Sequence, residues 1–281
     1  MKQKNVKKKT VSLLLAATMV ITSFPVSGKE ARAAGTSDRS LSVTAFATKG
    51  QLMSAFIPNE YGKSSVIGKI TFGKNSKNEV QEWYILGNDN GVTGDNTVLV
   101  AADPIATRKM FNASIGTKSY DDTWGCAYTG NTPTEVYANH YGGSNVRAEL
   151  NTIVGNEQYF TTAEQGLMNE TTVTTNDTKA DADYTTTDKL YALTADGYNK
   201  PIKAGTNDQI ELAISTYWSS GDYFWLRAPG GTDHSDFVMV AVPGSSVNHS
   251  YVQSENPLVP AFNLNPRRVH SPMLASYLAY K

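Results

Sequence analysis

The recurring unit of this sequence is a short apolar, β-branched or aromatic run closed by Gly, Pro, Asn or Asp. Such a unit limits the chain to folds assembled from short strands. Val66–Gly73 is one run, Glu82–Gly87 a second and Thr97–Ala101 a third. Asn88-Asp89-Asn90-Gly91 lies between the last two and predicts a hairpin with a loop of several residues. Lys189–Leu193, Tyr223–Arg227, Phe237–Val242 and Val259–Leu264 continue the pattern, punctuated by Pro229-Gly230-Gly231 and Pro243-Gly244. Leu41, Val43 and Ala45 alternate and predict an earlier strand. Helix signals are few. Asn145–Asn151 follows Ser144, a good N-cap. Phe160–Met168 places Thr161 or Thr162 ahead of Glu164 in the manner of a capping box. A further short helix is expected over Asp208–Thr216, and the Thr-, Asn- and Asp-rich residues 169–184 read as an exposed loop. Together these argue an α+β fold of short-stranded, mostly antiparallel sheets with a few short helices and long irregular loops.

The N-terminus reads as a signal peptide over residues 1–33. Lys2, Lys4, Lys7, Lys8 and Lys9 precede an apolar stretch, Val11–Phe24, and Ala31-Arg32-Ala33 supplies the small-x-small exit. The apolar stretch is shorter than the roughly 20 residues that span a bilayer, so cleavage is expected rather than anchoring. No later segment is apolar enough to cross a membrane. The expected location is extracellular, secreted or at the cell surface. After the leader come an N-terminal segment 34–65, a main domain 66–266 and a C-terminal tail 267–281.

Removing the leader changes the charge. The whole chain holds 25 Lys+Arg and 26 Asp+Glu. Seven of the bases and one of the acids lie in residues 1–33, which leaves 18 bases, 25 acids and a net charge of −7. That argues against nucleic acid or anionic lipid as partner, since both need basic patches. Cys126 is the one cysteine. It can form no internal disulfide, so the stability of the domain rests on its core, and burial as a small hydrophobe is the expected state of this thiol.

Six segments in order resemble the domain of unknown function 6273 family, found in exported proteins of gut Firmicutes. They are Glu82–Gly87, Ser144–Asn151, Phe160–Glu164, Thr186–Leu193, Phe224–Gly230 and Val259–Leu264. The resemblance covers about residues 66–264. Members usually carry Arg before Pro-Ala near the end, where this chain has Val259. The closing segments are also similar to the C-type-lectin-like fold and, distantly, to formylglycine-generating enzymes. What this implies is a compact sheet-centred domain with long loops. The enzymatic activity is not expected, because it needs a reactive cysteine pair or metal thiolate site and the chain has one cysteine.

Candidate site residues come from two places. Trp124, Tyr128, Tyr137 and Tyr141 lie among Gly, Asn and Thr in a stretch with little regular structure. Exposed, such rings bind sugars or peptides beside polar partners; packed, they pin the loop to the core. Trp225 and Arg227 share one strand face by alternation, either as core residues or with Arg227 holding a ligand. Trp124, Tyr128, Tyr137, Asn139 and Arg227 are therefore the candidate ligand-binding set, with Arg147 as a structural tie. Asp89, Asp95 and their Asn neighbours lack EF-hand spacing and read as a turn, so no metal and no cofactor is expected. The leading expectation is a non-enzymatic recognition or surface-display domain for glycan or extracellular protein. The alternatives are a hydrolase using His234 or His249 with nearby acids, though without a Gly-x-Ser-x-Gly elbow, and a purely structural module.

Overall fold

The computed structural model describes residues 56–58, 64–67, 69–89, 91–94, 96–197, 200, 202–204, 210–212, 223–231, 235–242 and 247–265. The expected signal peptide at 1–33, the strand expected at Leu41–Ala45, His234 and the tail 267–281 lie outside them.

In chain order the strands are β1 (Phe56–Pro58), β2 (Ser64–Ile67), β3 (Lys69–Lys74), β4 (Val80–Gly87), β5 (Thr97–Ala101), β6 (Ala106–Met110) and β7 (Thr117–Ser119). A short 3-10 turn, Asp122–Trp124, separates these from β8 (Ala127–Tyr128) and β9 (Glu135–Tyr137). Helices α1 (Asn145–Gly155) and α2 (Thr162–Gln165) follow. The rest is strand: β10 (Met168–Asn169), β11 (Thr171–Asp177), β12 (Ala182–Asp188), β13 (Tyr191–Ala192), β14 (Thr194–Ala195), β15 (Ile202–Ala204) and β16 (Ile210–Leu212). The last five are β17 (Phe224–Pro229), β18 (Phe237–Ala241), β19 (Val247–Tyr251), β20 (Glu255–Leu258) and β21 (Pro260–Leu264). Strand far outweighs helix, and every strand pair is antiparallel.

The central sheet has the order β10-β21-β5-β4-β3, with β13 also paired to β21. Its β4, β5 and β21 are near-continuous buried runs, which is why they read as apolar rather than alternating segments. The Trp83 ring stands edge-on to Phe262, centroids 4.7 Å apart, and its Nε1–H donates to Phe72 O at 2.7 Å. Phe72 and Phe160 complete this aromatic layer. Helix α2 is fastened to β3 by one side chain. Glu164 closes a capping box with Thr161 and accepts from the Gly73 N–H at 2.9 Å. Gly73 has φ 66°, and a Cβ there would meet Phe160 at 2.5 Å, so position 73 admits only glycine.

A second sheet, β17-β18-β19, buries Trp225 against Phe111 at 5.4 Å, with Trp225 Nε1–H donating to Lys109 O.

Three expectations are corrected. Residues 169–184 are no exposed loop. Thr171–Asp177 and Ala182–Asp188 pair in unbroken register as a hairpin, and β11 alternates buried and exposed along its length. The side chains of Thr171, Val173, Thr175 and Asp177 point in, while Thr172, Thr174 and Asn176 point out. Threonine is polar in composition yet β-branched in shape, and shape decides in a half-buried strand. Within the helix expected over Asp208–Thr216, Ile210–Leu212 is instead β16, paired with β15, and the remainder lies outside the described residues. The expected strand Lys189–Leu193 contracts to Tyr191–Ala192.

Candidate functional site

Between β6 and α1 the chain makes a long, largely irregular excursion, and a few local devices shape it. β7 pairs with β9, and β8 adds to the edge of the β11-β12 hairpin through Tyr128 opposite Tyr184. Asp121 caps the 3-10 turn by accepting from the Thr123 N–H, and Gly125, at φ 63°, ends it. Ser144 caps α1 by accepting from the Arg147 N–H. Arg147 then gathers the excursion: Nη1 donates to the carbonyls of Trp124 and Gly142, and Nε donates to both carboxylate oxygens of Asp188 at 3.0 Å. Burial works against its charge, but Asp188 more than compensates and holds the guanidinium above its ordinary pKa. The structural tie expected of Arg147 is thus a buried, bidentate ion pair.

Around this tie the aromatic rings pack on one another. His140 stacks on Tyr184 with centroids 4.3 Å apart, Tyr184 stacks on Tyr128 at 5.3 Å, and Tyr120 stands edge-on to both Trp124 and Tyr128. Lys118 Nζ lies 4.8 Å from the Trp124 ring centroid and donates to Gly143 O. A hydrogen-bond chain runs through the stack. The Gly143 N–H donates to His140 Nδ1 at 3.2 Å, which leaves the ring proton on Nε2. His140 Nε2–H donates to Tyr128 Oη at 2.9 Å, and the Tyr128 hydroxyl donates to Asp177 Oδ2 at 2.6 Å. Asp177 Oδ1 accepts from the amides of Lys179 and Ala180.

The floor of the site is Gly142-Gly143. A Cβ at Gly142 would lie 2.2 Å from Cys126 Sγ and 2.7 Å from His140 Cε1; at Gly143 it would lie 2.5 Å from Trp124 Cζ2. The glycines are there because rings and a thiol rest directly on the backbone. Above them is a pocket of about 310 Å³, bounded by Thr123, Trp124, Asn145, Ala148 and Asn151. A larger cleft of about 700 Å³ lies beside β3 and β4, lined by Thr71, Val80, Gln81 and Asp103 among others, without an aromatic, His or Cys side chain.

The electrostatics argue against acid–base or nucleophilic work in the aromatic cluster. Burial, then the charges of Lys118 and Arg147, push His140 down to about 3, and its Nδ1 lone pair is already engaged. Burial pushes the Cys126 thiol up to about 11, so it stays protonated. Burial and then the bond to Asp177 push the Tyr128 hydroxyl above its ordinary range. Burial lowers Lys118 to about 8. Among the described residues no three His, Cys, Asp or Glu side chains are grouped to hold a metal. In the Asp89–Asn96 loop the Asn96 amide ties the carbonyls of Asp89, Val92 and Gly94.

The candidate residues of the sequence reading separate. Trp124 and Tyr128 are half-buried and meet through Tyr120 and His140. Tyr137 is half-buried on β9 beneath Lys179 Nζ, 5.2 Å from its ring. Asn139 is buried; its backbone N–H donates to Ser235 O and its Nδ2 to Phe237 O. Arg227 is enclosed at 2% exposure, donating to Ala192 O at 2.7 Å and Thr174 O at 3.3 Å, and lines neither of the two pockets described above. Cys126 is half-buried rather than buried. His249 lies half-buried on β19. Sequence reasoning passed over Lys118, Tyr120, His140, Asp177 and Tyr184. The adjacency of His140 to Tyr141-Gly142-Gly143-Ser144 was the available signal, because paired glycines before a helix cap mark a close approach of other groups to the backbone.

A family described as Domain of unknown function (DUF6273) matches residues 95–266, and the chain belongs to it. No curated protein and no solved structure matches the chain.

Proposed function

We propose that this member of the domain of unknown function 6273 family is an exported, non-enzymatic recognition or surface-display domain. It binds glycan or extracellular protein through the irregular excursion between β6 and α1. The observation that carries this reading is Trp124: a half-exposed indole, held by Lys118, Tyr120 and His140, at the wall of a small pocket with polar neighbours. A ring fixed before the ligand arrives loses little freedom on binding. The inert His140 and Cys126 favour recognition over chemistry at this site. A C-type-lectin-like arrangement, in which sequence-distant loops come together, belongs to the same reading, and the Asn139 contacts with Ser235 and Phe237 support it.

The test is a glycan array and capture of extracellular proteins on the purified protein, run beside a general hydrolase screen. A glycan or protein ligand is the expected outcome. Turnover abolished by His234→Ala or His249→Ala would replace recognition with hydrolysis, and silence in all three assays would leave a structural module. Export is tested separately by intact mass of secreted material, expected to lack residues 1–33; a membrane-retained chain still carrying Met1 would overturn it.

A further inference from the structure

We infer that the pocket beside Trp124 is a subsite for one neutral hexopyranose ring. The inference rests on the recognition reading above and names its ligand.

Size comes first. About 310 Å³ lies at the bottom of the roughly 300–1,000 Å³ range of small-molecule sites, enough for one sugar ring and too little for an extended chain. Charge comes next. The one cationic side chain lining the pocket is Arg147, and it is ion-paired with Asp188 at 3.0 Å and buried. The first amides of α1 are also engaged: Asn145 N–H with Phe111 O, Arg147 N–H with Ser144 Oγ and Ala148 N–H with Ser144 O. The helix start therefore offers these donors to no anion, and a chain of net −7 after the leader repels acidic glycans.

The walls supply the remaining chemistry. Thr123, Asn145 and Asn151 are exposed around the rim. A carboxamide presents two donors and an acceptor, and a hydroxyl donates and accepts. Vicinal sugar hydroxyls, which also both donate and accept, match such a rim better than an anion, a cation or an apolar group. Trp124, which lines the pocket, gives the C–H side of the ring an apolar wall. Gly142 and Gly143 keep the floor open, since a side chain at either would displace Cys126, His140 or Trp124.

The experiment is saturation-transfer NMR on the purified full chain with four methyl pyranosides (gluco, galacto, manno and N-acetylglucosaminide) and methyl glucuronide as the charged control. Transfer to at least one neutral glycoside and none to the glucuronide is expected. Ala148→Trp, at an exposed helix position, fills the pocket from the solvent side against Trp124, and should weaken binding about tenfold or more with an unchanged melting temperature. Trp124→Ala should weaken binding as much but with a lower melting temperature, because its ring also packs on Tyr120 and His140. Transfer undiminished in both variants, or absent for every neutral glycoside, overturns the subsite. A glycan-array hit alongside either result keeps the recognition reading and moves its site elsewhere, whereas a blank array and an empty protein capture defeat that reading itself.

Discussion

The Tyr128 hydroxyl donates to Asp177 Oδ2 at 2.6 Å, and through it the irregular excursion is bonded to the far end of the β11-β12 hairpin. Asp177 is buried at 2% exposure, so its carboxylate depends on Tyr128 and two backbone amides for the hydrogen bonds water would otherwise supply. Removing only the hydroxyl, in Tyr128→Phe, leaves Asp177 Oδ2 and His140 Nε2–H without this partner. The expected cost is about 1–3 kcal/mol, read as a lower midpoint in urea unfolding. An unchanged midpoint would show that the chain from His140 to Asp177 carries no stability.

His140 makes stability depend on pH, with a definite sign. Its folded pKa, about 3, lies below the ordinary 6.5. As pH falls through 6.5 the unfolded chain takes up a proton that the folded one refuses, so stability is full above that value and is lost on the way down. The slope is at most about 1.4 kcal/mol per pH unit between about 6.5 and 3. Urea unfolding at pH 7, 6 and 5 should show the decline, and His140→Gln should flatten it. Equal slopes in both proteins would place the titrating group elsewhere.

Gly142 has no room for a methyl group, while Gly130 has nothing within 4 Å of the same position. Gly142→Ala should therefore cost about 1–3 kcal/mol through displacement of Cys126 and His140, and Gly130→Ala should be close to neutral. Thermal melts of the two variants side by side make the comparison, and equal melting temperatures would contradict the packing of thiol and imidazole on this backbone.

Trp83 and Trp225 are both enclosed, at 0% and 1% exposure, in different sheets. Each Trp→Ala change should cost about 3–5 kcal/mol. The two losses should add, because the rings share no ring contact with each other. Denaturant unfolding of the singles and the double variant is the measurement; a double loss markedly less than the sum would mean that the two rings are coupled through the core they share.

Strands β4, β5, β17, β18 and β21 were legible in the sequence because a buried strand is a local fact: its residues are apolar wherever the partner comes from. The caps of α1 and α2 were legible for the same reason, since Ser144 and Thr161–Glu164 bond within three residues of themselves. The hairpin β11-β12 was not, because a threonine run is compatible with solvent or with a pleated face, and only the packing of Val173 and Tyr184 against the core selects the second. Arg227 shows the limit most plainly. Its alternation with Trp225 is written in the sequence, but the carbonyls of Ala192 and Thr174 that enclose it come from more than thirty and fifty residues away. The same holds for the candidate site. Trp124 and Tyr128 could be picked out as rings in a loop, whereas the imidazole, thiol, glycines and carboxylate that orient them meet only when three separate segments, 124–128, 140–143 and the strand carrying Asp177, fold together. Short-range bonding and burial are set by neighbours along the chain; which groups share a pocket is set by chain closure, and closure is a property of the tertiary structure alone.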